Sequence, residues 1–375
     1  MTDNLHTQKI RVGVIFGGRS GEHEVSLQSA KSVMQALDPE KYDVAPIGID
    51  KHGRWLAGDA MAALTEGQTP QPATLLPDPQ SASLMQVKEV EKRPVGLTAV
   101  TQLDVIFPVL HGPYGEDGTV QGLLELANLP YVGAGVVGSA VGMDKAIFKQ
   151  VMTASDLPIL PWQLVLSSEW RANKATVLDV LEAELSYPVF SKPANLGSSV
   201  GICKCNNRAE LEAGLDEAAV YDRRIVVEQG INARELEISV LGNDNPAASV
   251  VGEIRPRHNF YDYVAKYVSD DSELLIPAPI PPQLAAEVRT LAIQAYRAID
   301  CAGLGRIDLL LDKDDGKLYL NEINTIPGFT NISMYPKLWA ASGVSYSELL
   351  DKLIALAIER HEEKENLKKS FEVRD

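Results

Sequence analysis

Cysteine is scarce in this sequence: Cys203, Cys205 and Cys301 are the three in 375 residues. A small, odd number gives no disulfide framework. Cys203 and Cys205 stand at strand spacing with no second Cys/His pair beside them. They read as small buried hydrophobes rather than metal ligands. Positive charge is also short, with 35 Lys and Arg against 51 Asp and Glu, for a net charge of −16. This excludes a broad nucleic-acid or anionic-membrane surface, both of which need basic patches. A nucleotide ligand stays compatible, because it needs only a few local lysines and backbone N–H groups. Long apolar runs are missing as well: nothing approaches the roughly 20 residues of a membrane helix. The polar start, residues 1–8, leads into a short strand and not into the apolar region of a signal peptide. The expected location is the cytoplasm.

What is present is an ordinary globular composition, 45% apolar and 23% charged, long enough for about two or three domains. Residues 9–16 read as a buried strand, 17–24 as a Gly-rich turn, 25–37 as a helix and 43–49 as a second strand. This β-α-β start predicts a parallel sheet. Glu22 and His23 follow the first strand's carboxyl end, either as substrate contacts or as helix-start residues that complement the dipole. From 53 to 102 the periodicity is poor and prolines recur, which predicts loops with at most one short helix or hairpin. Residues 103–110 form another strand. His111 follows in a Gly-rich turn at the same sheet edge, where open α/β sheets bind ligands; a structural role is the other reading. Residues 139–155 read as one helix with Asp144-Lys145 in its body. Lys192 ends a strand beside the Gly/Ser-rich loop Ala194-Asn195-Leu196-Gly197-Ser198-Ser199-Val200-Gly201. That loop is either a phosphate cradle of successive N–H groups or a surface hairpin. Residues 258–267 read as a long ordered loop.

The densest chemistry lies near the carboxyl end. Leu309-Leu310-Leu311 and Leu318-Tyr319-Leu320 flank Asp312-Lys313-Asp314-Asp315-Gly316-Lys317, which predicts a β-hairpin. Its outer ends carry Arg306 and Asp308 on one side and Glu322 and Asn324 on the other. Two carboxylates and an amide in one volume suit Mg²⁺, which is usually held by one or two carboxylates plus substrate phosphates.

Taken in order, these segments resemble the ATP-grasp superfamily and, within it, the D-alanine–D-alanine ligase family. The resemblance rests on Phe16-Gly17-Gly18 with Glu22-His23-Glu24-Val25-Ser26, Leu110-His111-Gly112 with Gly115-Glu116-Asp117-Gly118, Met143-Asp144-Lys145, and Lys192-Pro193 with Gly197-Ser198-Ser199-Val200-Gly201. It continues through Tyr261-Asp262-Tyr263 with Ala265-Lys266-Tyr267, Gly305-Arg306-Ile307-Asp308, and Asn321-Glu322-Ile323-Asn324-Thr325-Ile326-Pro327-Gly328. Ser191 departs from the pattern, where an apolar residue is usual. The resemblance implies a three-domain α/β and α+β architecture. A parallel-sheet domain over 1–133 would bind substrate, and two ATP-grasp subdomains over 134–227 and 228–375 would clasp ATP.

It implies ligation of two D-alanines through an acylphosphate, for peptidoglycan precursor synthesis, with ATP and two Mg²⁺ or Mn²⁺. Lys145, Lys192, Ser198, Ser199 and Lys266 would face the phosphates, Glu228 the adenine and Glu235 the ribose. Asp308, Glu322 and Asn324 would hold metal. Glu22 would pair with the first D-alanine's ammonium, and Ser333, Met334, Arg306 and His111 would serve the second. Arg306 and Gly328 would stabilise the oxyanion, and Tyr267, Ser198 and Glu22 would close the loop. A homodimer is expected, with no nucleic-acid or membrane partner. D-Ala–D-Ser or D-Ala–D-lactate ligation, or a silent nucleotide-binding module, are the alternatives.

Overall fold

The computed structural model describes residues 9–69, 71–91, 93–256 and 272–368. The fold starts from strand β1 (Ile10–Gly17), whose interior residues are fully buried. It lies parallel to β2 (Tyr42–Ile49) on one side and to β7 (Val105–Val109) on the other. Helix α1 (His23–Ala36) makes the crossover. Ser26 of α1 ties the sheet edge together: its Oγ accepts from Gly17 N (2.8 Å) and donates to Val109 O. Gly17 has φ +91°, and a Cβ there would meet Ile49 O at 2.1 Å, so the turn out of β1 demands glycine.

The stretch 53–102 corrects the expectation of loops. It supplies β3 (Trp55–Ala57), a short helix α2 (Ala60–Thr65), β4 (Gln71–Leu75), β5 (Ser83–Val90) and β6 (Arg93–Gln102). These extend the sheet antiparallel beyond β2, in the order β6-β5-β4-β3-β2-β1-β7. Almost every residue of β6 is exposed. A strand with no buried face shows no apolar alternation, which is the signal on which a sequence reading depends.

Two further sheets are wholly antiparallel. The four-stranded one runs β10-β9-β11-β8, from β8 (Trp162–Leu166), β9 (Val189–Pro193), β10 (Cys203–Cys205) and β11 (Arg224–Gln229). The five-stranded one runs β14-β13-β12-β15-β16, from β12 (Ala233–Leu241), β13 (Ala247–Pro256), β14 (Ser272–Leu275), β15 (Leu304–Asp312) and β16 (Leu318–Asn324). Helix Pro282–Ala298 packs Val288, Ala292, Ala295 and Tyr296 against the latter. A division of the chain at 227/228 would fall inside β11, which pairs as far as Gln229.

After helix α3 (Thr119–Leu126), the helix expected over 139–155 is two helices, α4 (Val136–Met143) and α5 (Lys145–Ala154). Asp144 adopts an extended backbone between them and caps α5, accepting from Ala146 N and Ile147 N (3.0 Å each). Its other oxygen pairs with Arg224 (2.5 Å), which locks the break against β11.

The last helix, Tyr346–Glu365, does not close on the carboxyl-terminal sheet. Leu349, Leu350, Leu353 and Ile354 enter one core with Val12, Val14, Phe16, Val105 and Phe107 of the first sheet. Burying four aliphatic side chains contributes roughly 6–12 kcal/mol as an upper figure. The amino- and carboxyl-terminal parts are thus one packing unit on this side. Cys205 and Cys301 are buried and Cys203 half-buried, all as free thiols. No described helix is long and apolar enough to cross a membrane.

Candidate active site

One cleft of about 1670 Å³ opens between the three sheets. Every expected site residue that the structure describes lines it, from Glu22 and His111 to Ser333 and Met334. Lys266 and Tyr267 lie outside the described residues.

The expected hairpin is present. β15 and β16 pair Asp308 with Glu322 and Arg306 with Asn324, with a bulge after Asp308. Asn324 Nδ2 donates to Asp308 Oδ2 (3.1 Å). Arg306 forks onto the same carboxylate, Nε to Oδ1 at 2.7 Å and Nη2 to Oδ2 at 2.6 Å. Glu237 stands opposite Asp308 on β12 and brings Oε2 to 3.0 Å from Arg306 Nε. Burial works against the Arg306 charge, but Asp308 and Glu237 outweigh it and hold the guanidinium protonated. Among the described residues no three His, Cys, Asp or Glu side chains converge as a metal cluster. The donor set here is two carboxylates and an amide. All of its donors are oxygens, which fits a hard divalent cation that keeps waters or phosphate oxygens in its remaining positions.

At the opposite wall, Glu22 precedes α1 and accepts from Ser198 Oγ, a contact between residues 176 apart in sequence. It joins the Gly/Ser loop after β9 to the first sheet. Ser198 and Ser199 both have positive φ, +54° and +58°. Two successive non-glycine residues in that region cost of order 1 kcal/mol each, a kind of strain that clusters at functional loops. Gly112 and Gly197 leave room for Glu22: a Cβ on either would meet its Oε2 at 2.8 or 3.0 Å and push the carboxylate aside.

His111 is buried, with Nδ1 2.9 Å from Ile326 O. A carbonyl only accepts, so Nδ1 carries the proton and Nε2 keeps its lone pair. That Nε2 is buried with no hydrogen-bond partner among the described residues. Burial pushes the imidazole pKa down, so the ring is neutral at pH 7. Glu116 was quoted in the motif but not expected in the site. It lines the cleft beside His111, accepting from Gly112 N (2.6 Å) and Ile326 N (3.3 Å). Burial, reinforced by Glu22, raises its carboxyl to about 8.

The lysines lie on the third side. Lys145, the first residue of α5, donates Nζ to Leu196 O (2.7 Å) at the Gly/Ser loop. Glu228 lines the cleft, but both its oxygens accept from lysine: Oε1 from Lys149, Oε2 from Lys192. Lys149 was not foreseen. It is one turn along α5 from Lys145, a spacing that would have put both on one helix face. Glu235 on β12 also faces the cleft. At the far end Ser333 Oγ accepts from Thr330 N (3.1 Å) and lies 2.8 Å from Thr330 Oγ1, just before helix Met334–Ala341. A Cβ on Gly328 would meet Ser333 Oγ at 3.2 Å.

Comparison with known proteins gives the family. The family model described as D-ala D-ala ligase N-terminus matches residues 11–134, and that described as D-ala D-ala ligase C-terminus matches residues 151–355. The chain belongs to the D-ala D-ala ligase family. A relative named D-alanine–D-alanine ligase from Heliobacterium modesticaldum is 55% identical over 360 residues, 95% of this chain and 97% of its own. One of the same name from Natranaerobius thermophilus is 48% identical over 368 residues, 97% of this chain and 99% of its own. Among solved structures, the D-alanine-D-alanine ligase from Coxiella burnetii superposes with TM-score 0.82 at 36% identity, over 95% of this chain and 96% of that one. The VanG D-Ala:D-Ser ligase from Enterococcus faecalis superposes with TM-score 0.81 at 35% identity, over 93% and 100%. Within this family the mixed α/β sheet and the two antiparallel sheets are the three-domain ATP-grasp architecture, and the family's activity is ligation.

Proposed function

We propose that this chain joins two D-alanine molecules into D-alanyl-D-alanine for peptidoglycan precursor synthesis, consuming ATP and passing through an acylphosphate. The observation that carries the reading is the single cleft in which Glu22, from the first sheet, faces the Arg306, Asp308, Glu322 and Asn324 cluster across the Lys145 and Lys192 side. The cations meet the triphosphate. Asp308, Glu322 and Asn324 would hold two Mg²⁺ or Mn²⁺, which when bound would spread the charge of phosphoryl transfer between anions. Glu22 pairs with the ammonium of the first D-alanine, and Ser198 and Ser199 lie over the phosphates. Glu235 takes the ribose. Glu228 lies toward the adenine end and anchors the lysines there. Arg306 and the Gly328 N–H stabilise the tetrahedral oxyanion. Ser333, beside Met334, takes the second carboxylate. The His111 Nε2 lone pair suits either orientation or deprotonation of the second ammonium. Lys266 acts at the γ-phosphate, and Tyr267 completes the set with Ser198 and Glu22.

The same reading puts the protein in the cytoplasm as a homodimer. The exposed edge strand β6, with Val95, Leu97 and Val100, supports association. It divides the chain into an amino-terminal unit to about 133, a central unit ending after β11, and a carboxyl-terminal unit whose last helix packs back on the first sheet.

The test is phosphate release with ATP, Mg²⁺ and a panel of D-alanine, D-serine and D-lactate. Release is expected to require D-alanine as donor and to fall several-fold with the other acceptors at neutral pH. Equal turnover with D-lactate or D-serine would overturn the acceptor assignment. Glu322→Gln is expected to abolish turnover with an unchanged far-UV spectrum; retained activity would remove the metal role.

A further inference from the structure

Arg306 is shared between two carboxylates with different prospects. Asp308 offers both of its oxygens to the guanidinium, at 2.7 and 2.6 Å, while Oδ2 also accepts from Asn324. Glu237 approaches from the next strand, its Oε2 3.0 Å from Arg306 Nε. All three side chains project from one face: Glu237 is directly opposite Asp308 in the β12–β15 ladder, and Arg306 is two residues from Asp308 on the same strand. All three are nearly buried, with side-chain exposures of 8% for Glu237, 14% for Asp308 and 16% for Arg306. Oδ2 already accepts twice, from Arg306 and from Asn324, so a divalent cation that takes both oxygens of Asp308 must displace one of these donors. The positive guanidinium beside Asp308 also opposes a dication there. A buried guanidinium displaced from one carboxylate needs another at once, because an uncompensated buried charge is costly. Glu237 is already in place beside it.

We propose that Glu237 is a positioning residue that keeps the Arg306 guanidinium when a divalent cation claims Asp308. Cation loading at Asp308 and transfer of the Arg306 charge to Glu237 are then one coupled event. Glu237 then keeps Arg306 in the cleft, where the proposed mechanism needs its charge for the oxyanion. The inference rests on the reading of Asp308 as a cation ligand.

A double-mutant cycle on the full-length chain separates the two. Mn²⁺ affinity is measured by water-proton relaxation with saturating ADP for the wild type, Glu237→Gln, Arg306→Ala and the double variant, with far-UV spectra as the folding check. Glu237→Gln is expected to weaken Mn²⁺ about tenfold when Arg306 is present and less than about twofold when it is absent, since contacting residues couple at this scale. It is also expected to raise KM for the acceptor D-alanine while leaving KM for ATP unchanged. An equal loss of Mn²⁺ affinity in both backgrounds, as plain loss of negative charge would give, overturns the inference. Asp308→Asn binding Mn²⁺ as well as the wild type overturns the metal reading itself. Should Glu237→Gln fail to fold, Glu237→Asp carries the same cycle.

Discussion

Lys149→Met tests what holds the lysine side of the cleft. The Lys149 side chain is 2% exposed, as is Glu228, and the carboxylate is shared between Lys149 and Lys192. Burial by itself would raise the Glu228 carboxyl. The two ammonium groups overcome it and bring the pKa from the ordinary 4.5 down to about 2. A shift of that size corresponds to about 3 kcal/mol of stability at neutral pH. Removing one partner of a buried ion pair costs about 3–5 kcal/mol when the other is left alone. Lys192 remains in the variant, so a loss near the lower end, about 3 kcal/mol, is expected for the unit formed by α5 and the four-stranded sheet.

Urea unfolding of the full chain, followed by tryptophan fluorescence, reads the loss as a lowered midpoint. Trp162 and Trp170 lie in or beside that sheet, so their transition reports it. The sign with pH follows from the depressed carboxyl. Its contribution is complete above about 4.5 and is lost as pH falls toward about 2. The gap between variant and wild type is therefore constant from pH 7 to about 5 and narrows below. Lys149→Met with Glu228→Gln should lose less than the sum of the single changes, because the buried anion is then gone as well. A loss under about 1 kcal/mol, or a gap independent of pH down to 3, would refute the reasoning.

Two further changes probe the other walls. Glu116 has its carboxyl raised to about 8, first by burial and then by Glu22, so the unfolded chain releases a proton that the folded one retains. Stability should fall as pH rises from about 4.5 to about 8, and Glu116→Gln should flatten that slope in thermal scans; an unchanged slope would remove Glu116 as its source. Gly17→Ala forces a Cβ to within 2.1 Å of Ile49 O at φ +91° and should cost about 3 kcal/mol or more in urea unfolding. A loss below about 1 kcal/mol would mean that the β1 turn relaxes freely.

The parts of the site legible in the sequence were those built locally. The hairpin that pairs Asp308 with Glu322 is announced by two leucine-rich runs around an Asp/Gly turn, and everything needed to form it lies within about twenty residues. Glu22, His111 and Lys192 stand at the ends of short strands, where polar residues after apolar runs are conspicuous. Lys149, Glu237 and Glu116 carry no such mark. Lys149 is a mid-helix lysine, and Glu237 is one of two alternating acids on a strand. Glu116 acquires a role only because Ile326, 210 residues away, presents its N–H. The β3–β6 extension stayed hidden for the opposite reason: its outer strand buries almost nothing, so no pattern records it. The docking of the last helix on the far sheet is likewise a long-range packing event that no local pattern encodes.

That destination decides how the second half of the site is held. The segment 326–330 belongs to the carboxyl-terminal part of the chain, yet both Ile326 and Phe329 reach across to the amino-terminal part. Ile326 offers its carbonyl to His111 and its N–H to Glu116. Three residues on, Phe329 N donates to Ser29 Oγ (3.3 Å), its carbonyl accepts from Tyr346 of the last helix, and its ring packs edge-on to Phe107 at 5.9 Å. Gly328 lies between these two anchors. Its N–H, the oxyanion donor of the proposed mechanism, is thereby braced from α1, the loop after β7 and the last helix as well as by the Thr330–Ser333 bonds of its own turn. An oxyanion donor works to the extent that it is fixed before charge develops. In the proposed mechanism the packing of Leu349, Leu350, Leu353 and Ile354 with β1 and β7 therefore reaches the chemistry, because it braces the backbone that would hold the tetrahedral centre.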